Sequence, residues 1–493
     1  MPESRATGAH AAGTRVARNT AFRAIGEALG KLASLALFAV LGRSIGQSGL
    51  GAFVFAFAVL QIAMVPVDLG YDRYLIRRFA REPAAVHHLL ADVVALKLMR
   101  AVPILALTVA GLWLLGEDTR TLSIVAALML GVIADSLSRS LFSVFTGLER
   151  GDMLALALVV QRVLGAALGL AALALGYGVV TVAATYSIAA VAGAILAAGL
   201  VRRVAGGLPR RVDRRNWKDL TRSSLPFATQ DVFTVLLFKV DAVILAALAT
   251  EAAVGRYGAA YRLFESTLFL TFALGGAFAP MYTYLGPDTD PSIRAVFGRS
   301  VKACAALLVP VGVAFTVLAE PLCRLLFGED FATAARPLRL LGPVVPLIGI
   351  VTLSSSLVVS RRDPRAIVGL TAVMAGANVL LNLALIPSLV DTGAALAMLI
   401  TEVLFCAAAL RMAAATTGGL PWMRTLAGPL LAGAAMAAAM IPLADRLVLG
   451  AVAGSLVYLL VLFMAERAIS PGDLRFAATL VRRREPGQEG ARR

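Results

Sequence analysis

Long apolar runs, each of bilayer length, recur along the whole chain and set the limits on its fold. A helix needs about 20 predominantly apolar residues to cross the hydrocarbon core. The sequence offers fourteen such segments: 20–42, 49–70, 90–115, 121–146, 153–176, 179–200, 223–249, 255–284, 300–319, 338–360, 366–387, 391–413, 425–444 and 447–466. Backbone amides in lipid must be paired within their own segment, so these runs are expected to be helices. The two-residue alternation of a membrane β-barrel is absent. The expected fold is an all-α polytopic membrane protein of about fourteen transmembrane helices.

Composition supports the same class. The 493 residues are 59% hydrophobic and 15% charged, whereas ordinary soluble domains run near about 45–50% and 25%. The formal net charge of +16 would suggest nucleic acid in a soluble protein. Here most of the basic residues fall in alternate loops. They cluster at Arg73, Arg77, Arg78 and Arg81, from Arg202 to Arg222, at Arg361, Arg362 and Arg365, and at Arg482, Arg483 and Arg484. That alternation places both termini in the cytoplasm, makes anionic lipid the natural contact for these loops, and leaves no call for nucleic acid as a partner. Three scattered cysteines (Cys304, Cys323, Cys406) and three histidines (His10, His87, His88) make no metal or disulfide pattern. No cofactor is expected.

The organisation follows from the spans. A cytoplasmic tail (1–19) precedes an N-terminal lobe (20–200). A basic linker (201–222) leads to a C-terminal lobe (223–413), followed by the last two helices (425–466) and a basic tail (467–493). The first helix carries Arg23, Glu27 and Lys31, which argues against a cleaved signal peptide. The longest external segment, 320–337, reads as an interfacial amphipathic turn. A shift of about 204 positions lays GAFVFAFAVLQ (51–61) over GRYGAAYRLFE (255–265), pairing Gly51 with Gly255, Phe53 with Tyr257 and Phe57 with Tyr261. Parallel repeats of six helices are a transporter arrangement.

Ionisable residues inside the spans carry the functional information. Each costs roughly 2.5–3.5 kcal/mol at a helix centre, so those that cannot snorkel must face one another or a wet cavity. The first half contributes Arg23, Glu27, Lys31, Asp92, Lys97, Arg100, Asp135, Arg139 and Arg162; the second contributes Asp231, Lys239, Asp241, Arg262, Glu265 and Glu402. The first set is mainly cationic and the second mainly anionic. This suggests that the N-terminal half holds an anionic substrate group and the C-terminal half a coupling H⁺ or Na⁺. The substrate-binding candidates are Arg23, Lys31, Lys97, Arg100, Arg139, Arg162 and Arg262, since a guanidinium fork suits phosphate. The ion-coupling candidates are Asp231, Asp241, Glu265, Asn378 and Asn382. Asp135–Arg139 and Arg262–Glu265 have the spacing of local ion pairs, and Asn378 with Asn382 has the spacing of a helix-packing amide pair.

Three stretches then bring a family into view. They are LGRSIGQSGLGAFVFAFAVLQIAMVPVDLGYDRYLIRRFARE (41–82), KVDAVILAALATEAAVGRYGAAYRLFES (239–266) and SRRDPRAIVGLTAVMAGANVLLNLALIPSLVDTGAALAMLITE (360–402). The chain resembles the oligosaccharide and polysaccharide flippases of the multidrug/oligosaccharidyl-lipid/polysaccharide superfamily over about residues 15–415. The likeness rests on Gly46, Gly51, Asp68, Leu69 and Gly70 in the first half, and on Asn382 to Pro387, Gly393 and Glu402 in the second. It implies two pseudo-symmetric six-helix lobes forming a V-shaped central cavity lined by the first two helices of each, alternating access, and a glycan on a polyprenyl-pyrophosphate lipid as cargo. It further implies a bacterial cytoplasmic membrane location, glycan polymerases or glycosyltransferases as partners, and a lipid-side groove at the last two helices. A lipid II flippase and an ion-coupled multidrug antiporter are the alternatives within the superfamily. A membrane enzyme fits less well, since no extended external loop and no H-E-x-x-H motif is present. Glu117-Asp118 and Glu329-Asp330 read as solvated loop acids.

Overall fold

In the computed structural model the described residues are 25–207, 212–283, 292–419 and 425–468, with the backbone alone given at 280 and over the helical ends 3–24, 284, 291, 422–424 and 469. The described residues are helical, with no strand among them. The helices are α1 (Glu3–Asp68), α2 (Tyr71–Arg81), α3 (Val86–Leu114), α4 (Thr119–Gly147), α5 (Gly151–Ala174), α6 (Val179–Val204), α7 (Trp217–Leu248), α8 (Glu251–Tyr284), α9 (Pro291–Val317), α10 (Ala319–Phe327), α11 (Ala335–Leu341), α12 (Val344–Arg361), α13 (Arg365–Thr417), α14 (Trp422–Met440) and α15 (Leu447–Ile469).

Eleven stretches are long and apolar enough to cross a membrane. Two of them hold two crossings each. α1 turns at Gly46 (φ 69°, ψ −176°) and α13 turns at Val390 (φ 54°, ψ −127°). α7 is of crossing length, but its apolar stretch carries Asp231, Lys239 and Asp241. The segments expected at 20–42 and 49–70, and at 366–387 and 391–413, are therefore the limbs of two bent helices. Large apolar side chains such as Leu107, Trp113, Leu115 and Leu456 point outward, as they should where the surroundings are lipid. The basic run after Gly70 is itself a helix, α2. Its apolar side buries Tyr71, Leu75 and Phe79, so its register is set by a 3.6-residue period rather than by charge alone. The 320–337 segment likewise folds, as α10, a 3₁₀ stretch and the start of α11.

The first lobe packs α1 against α5 and α4 on α6; the second packs α13 against α7 and α12, and α12 on α8. α14 and α15 lie together, with α14 on α9. The linker is tied back to the first lobe, because the Asp92 carboxylate accepts the Asp213 backbone N–H at 2.8 Å.

The lobes meet most closely where α1 crosses α8. A Cβ built on Gly51 would lie 1.9 Å from the Glu251 carbonyl oxygen, and one on Gly255 would lie 1.9 Å from the Gln47 carbonyl oxygen. Gly258 faces Val54 in the same way. Gln47 and Glu251, Gly51 and Gly255, and Val54 and Gly258 are all 204 apart. The repeated segments thus face each other about a local two-fold, each offering the same patch to its copy. Next to this crossing, Arg43 donates to the Leu326 carbonyl at 2.9 Å and also to that of Leu325, and Gln47 donates to the Asp330 carbonyl. Arg256 bridges Asp391 at 2.8 Å and the Gln47 side chain at 3.2 Å.

A second junction closes the opposite, basic end. Gly70 (φ 68°) is left-handed, and a Cβ there would come within 2.4 Å of the Ala228 nitrogen on α7. Around it Tyr71 shares a hydrogen bond with Thr221 (2.9 Å), Arg73 pairs with Asp231 (2.9 Å) and Arg77 lies over the Phe227 ring.

Candidate functional site

Between the two junctions lies a cavity of about 630 Å³, lined by α1, α2, α4, α5 and α6 of the first lobe and by α7 and α8 of the second. At its waist the Glu265 carboxylate accepts from Lys31 at 3.2 Å and from Arg262 at 2.9 Å, with Lys239 at 3.9 Å. Lys31 and Glu265 belong to different lobes, so this ion pair spans the cavity. The Arg262 guanidinium also lies 4.0 Å from the Phe38 ring centre, a cation–π contact. Arg162 reaches the same region by crossing α1 at Gly30, where an added Cβ would sit 3.1 Å from its Cγ. Among the described residues Arg162 has no carboxylate within 4 Å. Lys31, Arg162 and Arg262 thus form a cationic group in which one guanidinium fork is left open.

Toward the basic end, Asp68 and Asp72 share Lys97 at 3.0 and 2.8 Å. Arg139 binds Asp68 and lies 3.7 Å from Asp72, while Ser136 donates to Asp68 and Ser140 to Asp72. The expected Asp135–Arg139 pair is therefore not made. The two lie on one helix face, but Arg139 finds two carboxylates across the helix boundary. Asp135 accepts instead from the Gln161 amide and the Tyr186 hydroxyl.

Lys31, Arg139, Arg162, Arg262, Asp231 and Glu265 line the cavity. Other candidates are placed elsewhere. Lys97 is 1% exposed and spends its protons on Asp68, Asp72 and the Ser136 carbonyl, so it braces the lobe from behind. Arg100 donates to Tyr71 Oη at 2.6 Å and Thr221 at 3.1 Å, in the basic-end junction. Asp241 is buried against Tyr257 and the Ala242 N–H, at a small cavity beside Lys239 that adjoins the main one through Phe38, Phe57, Arg262 and Glu265. Asn382 donates to the Asn378 amide oxygen at 2.9 Å and Asn378 to Thr401 at 3.3 Å. That chain joins the two limbs of α13, the packing role their spacing suggested. In the same region Asn382 Oδ1 and Glu402 Oε2 are buried with no hydrogen-bond partner among the described residues. The Arg23 side chain lies outside the described residues.

Sequence reading missed Asp68, Asp72 and Arg73 as lining residues, because they fall at a helix end and in a run read as topological. It also missed the charge balance. The described lining holds five cations (Lys31, Arg73, Arg139, Arg162, Arg262) and six acids (Glu27, Asp68, Asp72, Asp135, Asp231, Glu265). The cavity is a mixed one, with three of the five cations (Lys31, Arg162, Arg262) at the waist and two (Arg73, Arg139) toward the basic end, and the cationic surplus counted by half-chain does not carry over to it.

Residues 16–284 match the model of a family described as polysaccharide biosynthesis protein, which is more than half of the chain. The chain belongs to this family. No curated protein matches the sequence. Among solved structures the fold is shared with "Lipid II flippase MurJ, inward closed conformation" at 13% identity and a TM-score of 0.72, over 92% of this chain and 99% of that one. It is also shared with an inward-facing multidrug resistance MATE family transporter of the MOP superfamily (14% identity, TM-score 0.63, 79% and 94% covered). A MOP superfamily transporter from Pyrococcus furiosus, whose structure is titled for the reverse polarity of its binding pocket, matches at 16% identity and a TM-score of 0.54, over 81% and 96%. The family member described here is a multi-pass membrane protein with the fold of these flippases and transporters.

Proposed function

We propose that the chain moves a polyprenyl-pyrophosphate-linked oligosaccharide from the cytoplasmic to the outer leaflet by alternating access, without chemical change to the cargo. The observation that carries this reading is the cluster of Lys31, Arg162 and Arg262 at the waist of an inter-lobe cavity, in a member of a polysaccharide biosynthesis family. A phosphorylated sugar head cannot cross hydrocarbon unaided. A polar cavity lowers that cost, and guanidinium forks give diphosphate bidentate hydrogen bonds. Glu265 holds Lys31 and Arg262 in place while the site is empty. The cargo's diphosphate takes over these partners and adds Arg162, so binding is an exchange of anions.

The test is binding of farnesyl diphosphate to the full-length protein in lipid nanodiscs. Arg162→Gln is expected to weaken it by at least about tenfold, the worth of a hydrogen bond to a charged group, and depletion of the protein in cells is expected to leave lipid-linked glycan facing the cytoplasm. The acids lining the same cavity favour a second reading, a cation-coupled drug antiporter with Asp231 or Glu265 carrying H⁺ or Na⁺. Tight ethidium binding with no affinity for farnesyl diphosphate would replace the first reading by the second. Lipid II would be one cargo of the first reading, identified by which lipid-linked glycan accumulates.

A further inference from the structure

One wall of the cavity carries a run of aromatic rings that the ionic cluster does not use. It begins at Phe38, beneath the Arg262 guanidinium. Phe38 meets Phe53 edge to face, with centroids 5.6 Å apart at 81°; Phe53 lies nearly parallel to Phe57 (6.3 Å, 8°); and Phe57 meets Tyr186 edge to face (5.4 Å, 89°). The rings come from both limbs of α1 and from α6. Phe53 is 4% exposed and wedges the others, while Phe38, Phe57 and Tyr186 are half-buried along the cavity.

The run ends at Asp135. Its carboxylate accepts from two neutral donors, Gln161 and Tyr186; Arg139 and Arg162 act on it at longer range, and no cation lies within 4 Å of it among the described residues. An ionised carboxylate has room for about four hydrogen bonds, so Asp135 keeps acceptor sites facing the cavity. The wall therefore joins three things: a cationic group suited to phosphate, half-buried aromatic rings, and a carboxylate still able to accept. An apolar drug would leave Asp135 unsatisfied, and an inorganic anion would not use the rings. A pyranose uses both, because its C–H face carries partial positive charge that suits the negative face of a ring, and its hydroxyls donate to carboxylates.

We propose that this wall is a sugar subsite: in the corner made by the perpendicular Phe57 and Tyr186 rings one ring takes the C–H face of an uncharged pyranose and the other its edge, Asp135 takes its hydroxyls, and the diphosphate sits at the Lys31, Arg162 and Arg262 end. This rests on the lipid-linked glycan reading and specifies the first sugar. Asp135 repels a uronate, so the residue next to the diphosphate is neutral. Gln161 and the Tyr186 hydroxyl are positioning groups, since they hold the carboxylate and leave the ring faces to the sugar.

The experiment is titration calorimetry on the full-length protein in nanodiscs. The probes are farnesyl diphosphate alone and the same lipid carrying one glucose, galactose, N-acetylglucosamine or glucuronate. At least one neutral sugar is expected to raise affinity over the bare diphosphate by about tenfold or more, and glucuronate is expected not to. Asp135→Asn and Phe57→Leu are expected to pull that ratio toward one. Tyr186→Phe, which keeps the ring and loses the hydroxyl, is expected to lower it only in part. Equal affinity for all five lipids would overturn the subsite, as would a preference for glucuronate or variants that keep the ratio. Failure of every probe, bare diphosphate included, would bring down the glycan-carrier reading itself and the subsite with it.

Discussion

The α1–α8 crossing predicts how a single methyl group redistributes the conformations of the carrier. In Gly255→Ala the new Cβ would stand 1.9 Å from the Gln47 carbonyl oxygen. An ordinary carbon contact needs about 3.5 Å, so the two backbones must part by roughly 1.5 Å. No flexible side chain stands between them to absorb the change. Overpacking of this kind costs about 1–3 kcal/mol, and it is charged only to states in which the crossing is closed. Opening the lobes at this end removes it, so the closed-to-open ratio should fall by about 5–150-fold. Gly51→Ala acts at the symmetric position against the Glu251 carbonyl. Because one opening relieves both clashes, the double variant should shift the ratio by less than the product of the two single shifts. The measurement is the distance distribution between spin labels on cysteines at Leu175, in the turn between α5 and α6, and Glu329, at the start of the 3₁₀ stretch after α10. The native cysteines are buried and leave those positions to be labelled selectively. The glycine variants are expected to gain a longer-distance population and to lose transport. A folded Gly255→Ala protein with an unchanged distribution would refute the idea that backbone contact between the lobes sets this closure.

Two further outcomes follow from groups outside the cavity. Lys97→Met leaves Asp68 and Asp72 close together with one cation lost, and breaking such a buried network costs about 3–5 kcal/mol; thermal unfolding in detergent should show a large loss of stability, whereas weaker farnesyl diphosphate binding at unchanged stability would return Lys97 to the substrate site. Asp118 caps α4 by accepting the Thr121 N–H at 2.8 Å, and the Thr121 side chain together with that N–H holds its carboxyl below the usual carboxylate range. Asp118→Ala should therefore cost about 1 kcal/mol at neutral pH. A depressed pKa contributes stability above the unfolded value and loses it as pH falls, so the difference between variant and parent should shrink below about pH 4; a difference that stays constant from pH 7 to pH 3 would show that the carboxylate is not the cap.

The parts of this protein that were legible in its sequence are those governed by lipid. A span must be apolar and helical, and an internal charge must find another charge or water. On that basis Lys31, Arg139, Arg162, Arg262, Asp231 and Glu265 were picked out, and all of them line the cavity. The same rule picked out Lys97, Arg100 and Asp241, which are satisfied elsewhere. The cost of burying a charge is written in its own segment, but the partner that relieves it comes from another helix. Arg139 illustrates this. Its i−4 neighbour Asp135 was the obvious local partner, yet Asp68 and Asp72 arrive from α1 and α2 and outbid it. The 204-residue repeat was visible because each copy has to present the same small surface to the other. Gly51 and Gly255 are fixed by one contact seen from two sides. The aromatic wall was only half legible. Phe53 and Phe57 share a face at i,i+4, but Phe38 and Tyr186 join them through tertiary packing that no local period records.

The mixed charge of the cavity bears on how such a carrier could work. A wall of unpaired cations would bind a diphosphate tightly, but it would be costly to close when empty, since each cation would lose water without gaining a partner. Glu265 changes that balance. With Lys31 on one lobe and Arg262 on its own, it draws the lobes together across an empty cavity and supplies the negative charge that cargo would otherwise bring. On the proposed reading, the free energy of binding diphosphate is the difference between two sets of anion contacts, not the whole of one. A difference of that kind would be small enough for release on the far side, while Arg162, which has no carboxylate within 4 Å among the described residues, would keep it favourable. The acids at Asp68, Asp72 and Asp231 extend the same logic toward the basic end, where each is matched by Lys97, Arg139 or Arg73. A charge-paired lining lets the cavity close with or without cargo, and a carrier that must return empty needs both.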